Sequence, residues 1–196
     1  PLWPSLRAVL PPKIPTRHTQ ATCWAYQDIR PLLLQAGELT PMEKAERRVL
    51  VLANPGHGLE NMKASAAMYL GMQLLLPGEW APSHRHTPNA LRMIIDAEPG
   101  AYTVVNGQRL SMLPGDIVLT PNWCWHGHGN DSRACAYWLD VLDVPLVQLL
   151  EPMFFEPHPD EFEKEIVVAN TSPMHFPWVE MQRRLAEAAA HSNGQA

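Results

Sequence analysis

The sequence predicts an all-β sandwich or small barrel carrying helical extensions at both ends. Three observations carry that prediction. Short apolar runs (MYLGMQLLL, ALRMII, AYTVV, GDIVLTP and ACAYWLDVLDV) follow one another between residues 68 and 150. Turn signals separate them: PGEWAP, NG and LPGD, a spacing that suits short strands rather than helices. The chain also holds 20 prolines, which suit turns and strand ends better than long helices.

Taken in order, three regions separate. Residues 1–67 form an N-terminal arm and helices. The arm contains PPKIP, and the apolar run of QDIRPLLLQAGEL is expected to stop at Gly37, a helix-ending residue. Thr40, Pro41 and Glu43 read as N-cap, first helical position and N3 of a capping box, opening a helix over about 41–48. VLVLANPG then reads as a strand ending in a turn. Residues 68–150 are the barrel, with Asn106-Gly107 as a two-residue hairpin turn. Residues 151–196 begin as the Pro-rich loop EPMFFEPHPDEF. They continue as an amphipathic helix opened by Pro177, with Trp178, Met181 and Leu185 on one face. The tail HSNGQA reads as disordered, and no internal repeat is present.

Composition narrows the function classes. A chain of 196 residues holds one full domain plus extensions. A net charge of -5 offers no basic stripe for nucleic acid and no polybasic membrane anchor. No apolar run is long enough to span a bilayer, and no signal-peptide pattern opens the chain. Cys23, Cys124 and Cys135 are odd in number and irregularly spaced, which argues for a reducing, cytoplasmic setting over a disulfide framework. The chain opens on Pro1, so a missing or processed native terminus is expected.

The chemistry concentrates in GEWAPSHRHTPNALRMII. On a strand, residues two apart share a face, so His84 and His86 point the same way. His126, at the end of the apolar strand in GDIVLTPNWCWHGHGN, is the candidate third ligand. Three neutral imidazoles converging inside a barrel hold one side of a divalent ion and leave the opposite positions open. That arrangement suits non-haem Fe(II) that must take up both a substrate and O2.

The spacing of these residues is specific. G-x5-H-x-H (Gly78, His84, His86) followed by G-x5-P-x4-H-x3-N (Gly115, Pro121, His126, Asn130) resembles the two motifs of the cupin superfamily. Two departures stand out. The cupin Glu expected shortly after the second histidine is replaced by Ala90 and Leu91, and the Gly usual two residues after the proline is Trp123. The missing Glu, with Arg92 just beyond, resembles the gentisate 1,2-dioxygenase branch, which includes the salicylate and 1-hydroxy-2-naphthoate dioxygenases. WAYQDIRPLLLQAGELTPMEKAERRVLVLANPG, LGMQLLLPGEWAPSHRHTPNALR and WHGHGN with WLDVLDVPLV extend the resemblance over most of the chain.

The resemblance implies the first cupin domain of that family: an all-β cupin barrel, also called a double-stranded β-helix or jelly roll. A second barrel would follow the region of TSPMHFPWVEMQRRL. It implies one Fe(II) per barrel on His84, His86 and His126, and a non-haem iron, extradiol-type ring-cleaving dioxygenase. Such an enzyme opens gentisate with O2 to maleylpyruvate, and in other members acts on salicylate or 1-hydroxy-2-naphthoate. Arg92 would fix the substrate carboxylate, Gln73 would hydrogen-bond the substrate and His128 would serve in proton transfer. Arg48, Tyr69, Gly71 and Asp140 are further candidate pocket residues, and the family implies a homo-oligomer, a tetramer. An inactive single barrel that binds metal or an aromatic acid is the alternative from another class.

Several local alternatives stay open in the sequence. His128 shares a face with His126 and rivals it as ligand, although the Pro-to-His spacing favours His126. Cys124 shares the same parity but suits a small core position. Trp123 and Trp125 flank His126 as packing residues or as an aromatic wall. His18, His57, His158, His175 and His191 have no partner at ligand spacing and read as surface.

Overall fold

The computed structural model describes residues 10–45, 47–164, 166–169 and 171–191, without the side chain of Glu43. Two six-stranded sheets face each other. One has the order β1-β2-β9-β4-β7-β12 and the other β10-β3-β8-β5-β6-β11. The strands are β1 (Arg48–Val51), β2 (Tyr69–Leu75), β3 (Trp80–His86), β4 (Ala90–Asp96), β5 (Ala101–Val105) and β6 (Gln108–Ser111). They continue as β7 (Ile117–Thr120), β8 (His126–Asn130), β9 (Ala136–Leu142), β10 (Phe155–Pro157), β11 (Val167–Val168) and β12 (His175–Phe176). Non-sequential neighbours such as β2–β9 and β3–β8 give the crossed connectivity of a jelly-roll barrel.

Alternation along the strands produces two apolar layers. Leu75, Ala81, Ile94, Val105, Leu110, Val118 and Trp138 fill the space between the sheets. Met72, Leu74 and Tyr137 point the other way and meet Ile29 and Leu33 of helix α1 (Tyr26–Leu39). Residues 29, 33 and 37 lie one turn apart and form that helix's single buried stripe. Gly37 belongs to the stripe and does not end the helix, which runs on to Leu39. A Cβ there would lie 3.1 Å from Leu74 Cδ2, so this glycine lets helix and sheet approach closely.

The expected second helix is shorter than read. Helix α2 spans Met42–Ala45, because Arg48 already belongs to β1 and pairs opposite Leu74. Thr40 is the C-cap of α1, its backbone N–H donating to Ala36, and the side chain of Glu43 lies outside the described residues. The hairpin at Asn106-Gly107 is as read: both residues have positive φ (45° and 75°), the type I′ geometry that joins β5 to β6.

The C-terminal segment is more ordered than a loop. After helix α3 (Val144–Leu149), β10, β11 and β12 add to β3, β6 and β7 and cover those strand edges. Pro177 does open helix α4 (Trp178–His191). Asp116 holds its start, accepting from the Trp178 N–H at 2.8 Å and lying 3.2 Å from His175 Nε2. His175 is therefore buried with an acidic partner rather than a surface residue. The expected apolar face of α4 has only partial cover, with Trp178 39% and Leu185 62% exposed. The tail beyond His191 lies outside the described residues.

Candidate metal centre

A one-residue irregularity in β3 prepares the site. Ala81 pairs with His128 and His84 with His126, so the register of the β3–β8 ladder shifts between Ala81 and His84. Such a bulge re-aims side chains, and here both Ala81 and the two histidines beyond it reach the interior. Gly127 keeps β8 close to β3. A Cβ there would fall 2.5 Å from Ser83 Oγ and 2.8 Å from the Phe162 ring.

The result is a cluster of three rings. His84, His86 and His126 each offer a nitrogen, and these atoms lie within 4.8 Å of one another. Ring centroids are 4.5 Å apart for His84–His126, 4.8 Å for His86–His126 and 5.3 Å for His84–His86. Two ring orientations follow from backbone carbonyls, which only accept hydrogen bonds. His86 Nδ1 donates to Pro88 O at 2.8 Å and His126 Nδ1 to Cys124 O at 3.0 Å. Each therefore turns a bare Nε2 lone pair inward, the arrangement that metal-binding histidines use. Among the described residues His126 Nε2 is buried without a partner, a costly state for a polar atom unless a cation meets it. His84 differs, because Arg47 donates to its Nδ1 at 3.1 Å and to Pro82 O at 2.8 Å. Its accepting lone pair is therefore taken, and His84 joins a metal only when Arg47 gives up that hydrogen bond.

Electrostatics keep the rings neutral. Burial pulls the His84 pKa down to about 2, aided by the Arg47 charge, and burial brings His86 to about 4. His126 and His128 are also held well below the ordinary value by burial and then by Arg92. Neutral imidazoles are the ligating form. The donor set thus fits a divalent transition metal.

His128 stands apart from the triad. Its ring centroid lies 6.2 Å from that of His126, and its Nδ1 meets Thr103 Oγ1 at 2.9 Å. The Thr103 hydroxyl donates to Met112 Sδ, so it accepts from His128, which leaves His128 Nε2 bare and buried. Cys124 takes part only through its carbonyl, and its side chain packs against the inner core.

Other polar groups line the same interior. Arg92 on β4 and Asp140 on β9 are direct cross-strand partners, with Arg92 Nε 3.1 Å from Asp140 Oδ1. Arg92 Nη1 also donates to Thr120. Burial pushes the Asp140 carboxyl up, opposed by the Arg92 charge. Gln73, almost wholly buried, has a buried Nε2 with no partner among the described residues, and it sits beside Trp138, whose indole interacts with the Asp140 carboxyl. Tyr69 and Gly71 share the strand face of Gln73. Burial raises the Tyr69 hydroxyl to about 12, and it would lie 2.7 Å from any Cβ at position 71.

The structure does not bring Arg48 into this group. It lies opposite Leu74, on the outer face, bound by both oxygens of Glu79 and by Thr40 O. Its neighbour Arg47 instead points to the histidines, which sequence reasoning missed. Strand parity carried the signal, since Val49, two residues on, pairs with the inward Gln73. A cleft of about 770 Å³, lined by Pro41, Met42, Arg47, Pro82, Phe155 and His158 among others, reaches His84. Trp123 and Trp125 form no wall of the histidine cluster and stack on Arg85 outside the barrel.

Comparison with known proteins places this geometry. Residues 71–142 match the cupin domain family. Over 154 residues the chain is 70% identical to a gentisate 1,2-dioxygenase of Ralstonia sp, covering 79% of this chain and 43% of that protein. It is 38% identical over 189 residues to a 5-aminosalicylate 1,2-dioxygenase of Comamonas sp, covering 85% of this chain and 50% of that protein. The crystal structure of salicylate 1,2-dioxygenase from Pseudoaminobacter salicylatoxidans with gentisate superposes with a TM-score of 0.84 at 33% identity. That match covers 100% of this chain and 60% of the other. The chain spans about half the length of the curated relatives it matches.

Proposed function

Because the chain belongs to the gentisate 1,2-dioxygenase family of the cupin superfamily, we propose that it is the metal-bearing part of an Fe(II)-dependent ring-cleaving dioxygenase. The proposed reaction opens gentisate with O2 to maleylpyruvate. The single observation that carries the reading is the buried cluster of His84, His86 and His126, with its bare His126 Nε2. Gentisate is preferred to salicylate or 1-hydroxy-2-naphthoate because the 70% identical relative is named for it, against 33% identity to a 1-hydroxy-2-naphthoate dioxygenase.

Iron held by the three histidines would supply the redox chemistry that lets O2 attack an aromatic ring, through the coordination positions they leave open. The chain's other residues would bind and orient. Arg92 meets the substrate carboxylate by a charge-assisted contact, with Asp140 and Thr120 fixing its guanidinium. Arg47 adds a second cation at the cleft mouth. Gln73 Nε2 donates a hydrogen bond to a ring hydroxyl, and the bare His128 Nε2 accepts a hydrogen bond from that hydroxyl, which places it on the path of proton transfer. Tyr69, neutral at working pH, closes one wall over Gly71. Arg48 supports the wall from outside through Glu79.

Assembly into a homo-oligomer, a tetramer by family resemblance, and a cytoplasmic setting are proposed on the same footing. Among the described residues no helix is long and apolar enough to cross a membrane. The test is oxygen uptake after anaerobic loading with Fe(II), comparing gentisate, salicylate and 1-hydroxy-2-naphthoate. Uptake fastest with gentisate supports the reading, and uptake fastest with either other acid would reassign the substrate.

A further inference from the structure

The residue between the two strand ligands, Arg85, points away from the histidine cluster and is engaged on three sides. Its guanidinium lies 4.5 Å from the centre of the Trp123 ring and 4.4 Å from that of Trp125. Its Nε and Nη2 both donate to Glu156 Oε2, at 2.8 and 2.6 Å, from the directly opposite position on β10. Contacts with two indole rings and a carboxylate restrict the Arg85 side chain, although the Arg85 and Glu156 side chains are 27% and 44% exposed.

The indoles it holds bracket the loop that orients two ligands. Cys124, between them, supplies the carbonyl that takes the His126 Nδ1–H. The Trp123 backbone N–H donates to the His86 carbonyl at 2.9 Å, and the Trp125 backbone N–H donates to Asn106 Oδ1 at 2.8 Å. Trp123 stands where the cupin pattern usually has glycine, and its backbone has φ 61°. Glycine adopts that conformation without strain, whereas a bulky residue is held there only by its surroundings. What this chain gains from an indole at 123 is one face of the Arg85 stack.

We propose that Arg85, stacked between Trp123 and Trp125 and paired with Glu156, is a positioning residue that fixes the three histidine ligands from outside the barrel. This inference rests on the metal reading above. The staple joins β3, the loop before β8 and β10, so a shift in any one moves His84 and His86 relative to His126. Groups that orient ligands in this way commonly alter metal affinity by ten- to a hundredfold.

The experiment uses Co(II) alone as probe, read by chelator competition and by its visible absorption, with circular dichroism confirming fold. Four proteins are compared: the unaltered chain, Arg85→Met, Trp123→Gly and Arg109→Met. Arg85→Met keeps the apolar stem, and Trp123→Gly removes an indole while relieving its backbone. Arg109→Met removes a similar exposed stack on Tyr102 and an ion pair with Asp131, away from the ligand strands' shared loop. Arg85→Met and Trp123→Gly should bind Co(II) at least about tenfold more weakly with a changed spectrum, while Arg109→Met matches the unaltered chain. Unchanged affinity and spectrum in the first two overturn the Arg85 role alone, as does an equal loss in Arg109→Met. No Co(II) binding by the unaltered chain overturns the metal reading as well.

Discussion

His84 and His126 are direct partners across the β3–β8 ladder, with ring centroids 4.5 Å apart, although 42 positions separate them in the chain. The pair exists because a bulge in β3 restores inward parity after Ala81. His126→Ala should therefore abolish stoichiometric metal binding, whereas His128→Ala, outside the cluster, should retain it. Metal content by mass spectrometry checks both. Full metal in the His126 variant together with loss in the His128 variant would exchange their assignments.

Arg92 and Asp140 are a second cross-strand relationship with opposite consequences for stability and binding. Arg92→Met leaves the buried Asp140 uncompensated and should cost about 3–5 kcal/mol in urea unfolding. Adding Asp140→Leu should recover much of that loss. Both variants should bind the aromatic acid about 1.5–3 kcal/mol more weakly while keeping metal. Unchanged affinity by calorimetry would remove Arg92 from the carboxylate site.

The depressed histidines predict a pH dependence of stability in chelator-treated protein. The unfolded rings take up protons near pH 6.5, but native His86 does so only near 4 and His84 near 2. Between those values the unfolded state binds more protons, so stability is greatest above about pH 6.5 and falls as pH drops. Each ring contributes up to about 1.4 kcal/mol per pH unit in that window. Urea unfolding at pH 7.5 and 5.0 should show the decline, and a flat profile would mean that the rings are solvated.

Several apolar side chains of the C-terminal region face solvent, including Phe154 and Phe155 at 61%, Val167 at 68%, Val179 at 79% and Leu185 at 62%. Surfaces of this kind promote association. Sedimentation of this chain should show concentration-dependent self-association, reduced by Val179→Glu with Leu185→Glu. A monodisperse monomer at all concentrations would contradict it.

Much of the barrel was legible because strand alternation and turn residues act locally. The Asn106-Gly107 hairpin, the strands carrying Gln73 and Arg92, and the three histidines followed from spacing or motif. What was not legible depended on tertiary contact. Gly37 reads as a helix stop but is buried against Leu74. His175 reads as surface until Asp116 is brought beside it by β12. Arg47 and Arg48 are adjacent in sequence, and only the pairing of β1 with β2 tells which faces the histidines. β10, β11 and β12 are too short to carry a pattern and form by adding to existing edges.

The proposed chemistry rests on three histidines that hold iron for cleavage of an aromatic acid by O2. The most direct measurement is the stoichiometry of oxygen uptake with limiting gentisate, for this chain loaded with Fe(II) and for its His126→Ala variant. The loaded chain should consume one O2 per gentisate and the variant none. Iron-loaded chain that binds gentisate without consuming O2, or a variant that consumes it equally, would rule out iron on these histidines as the centre that cleaves gentisate.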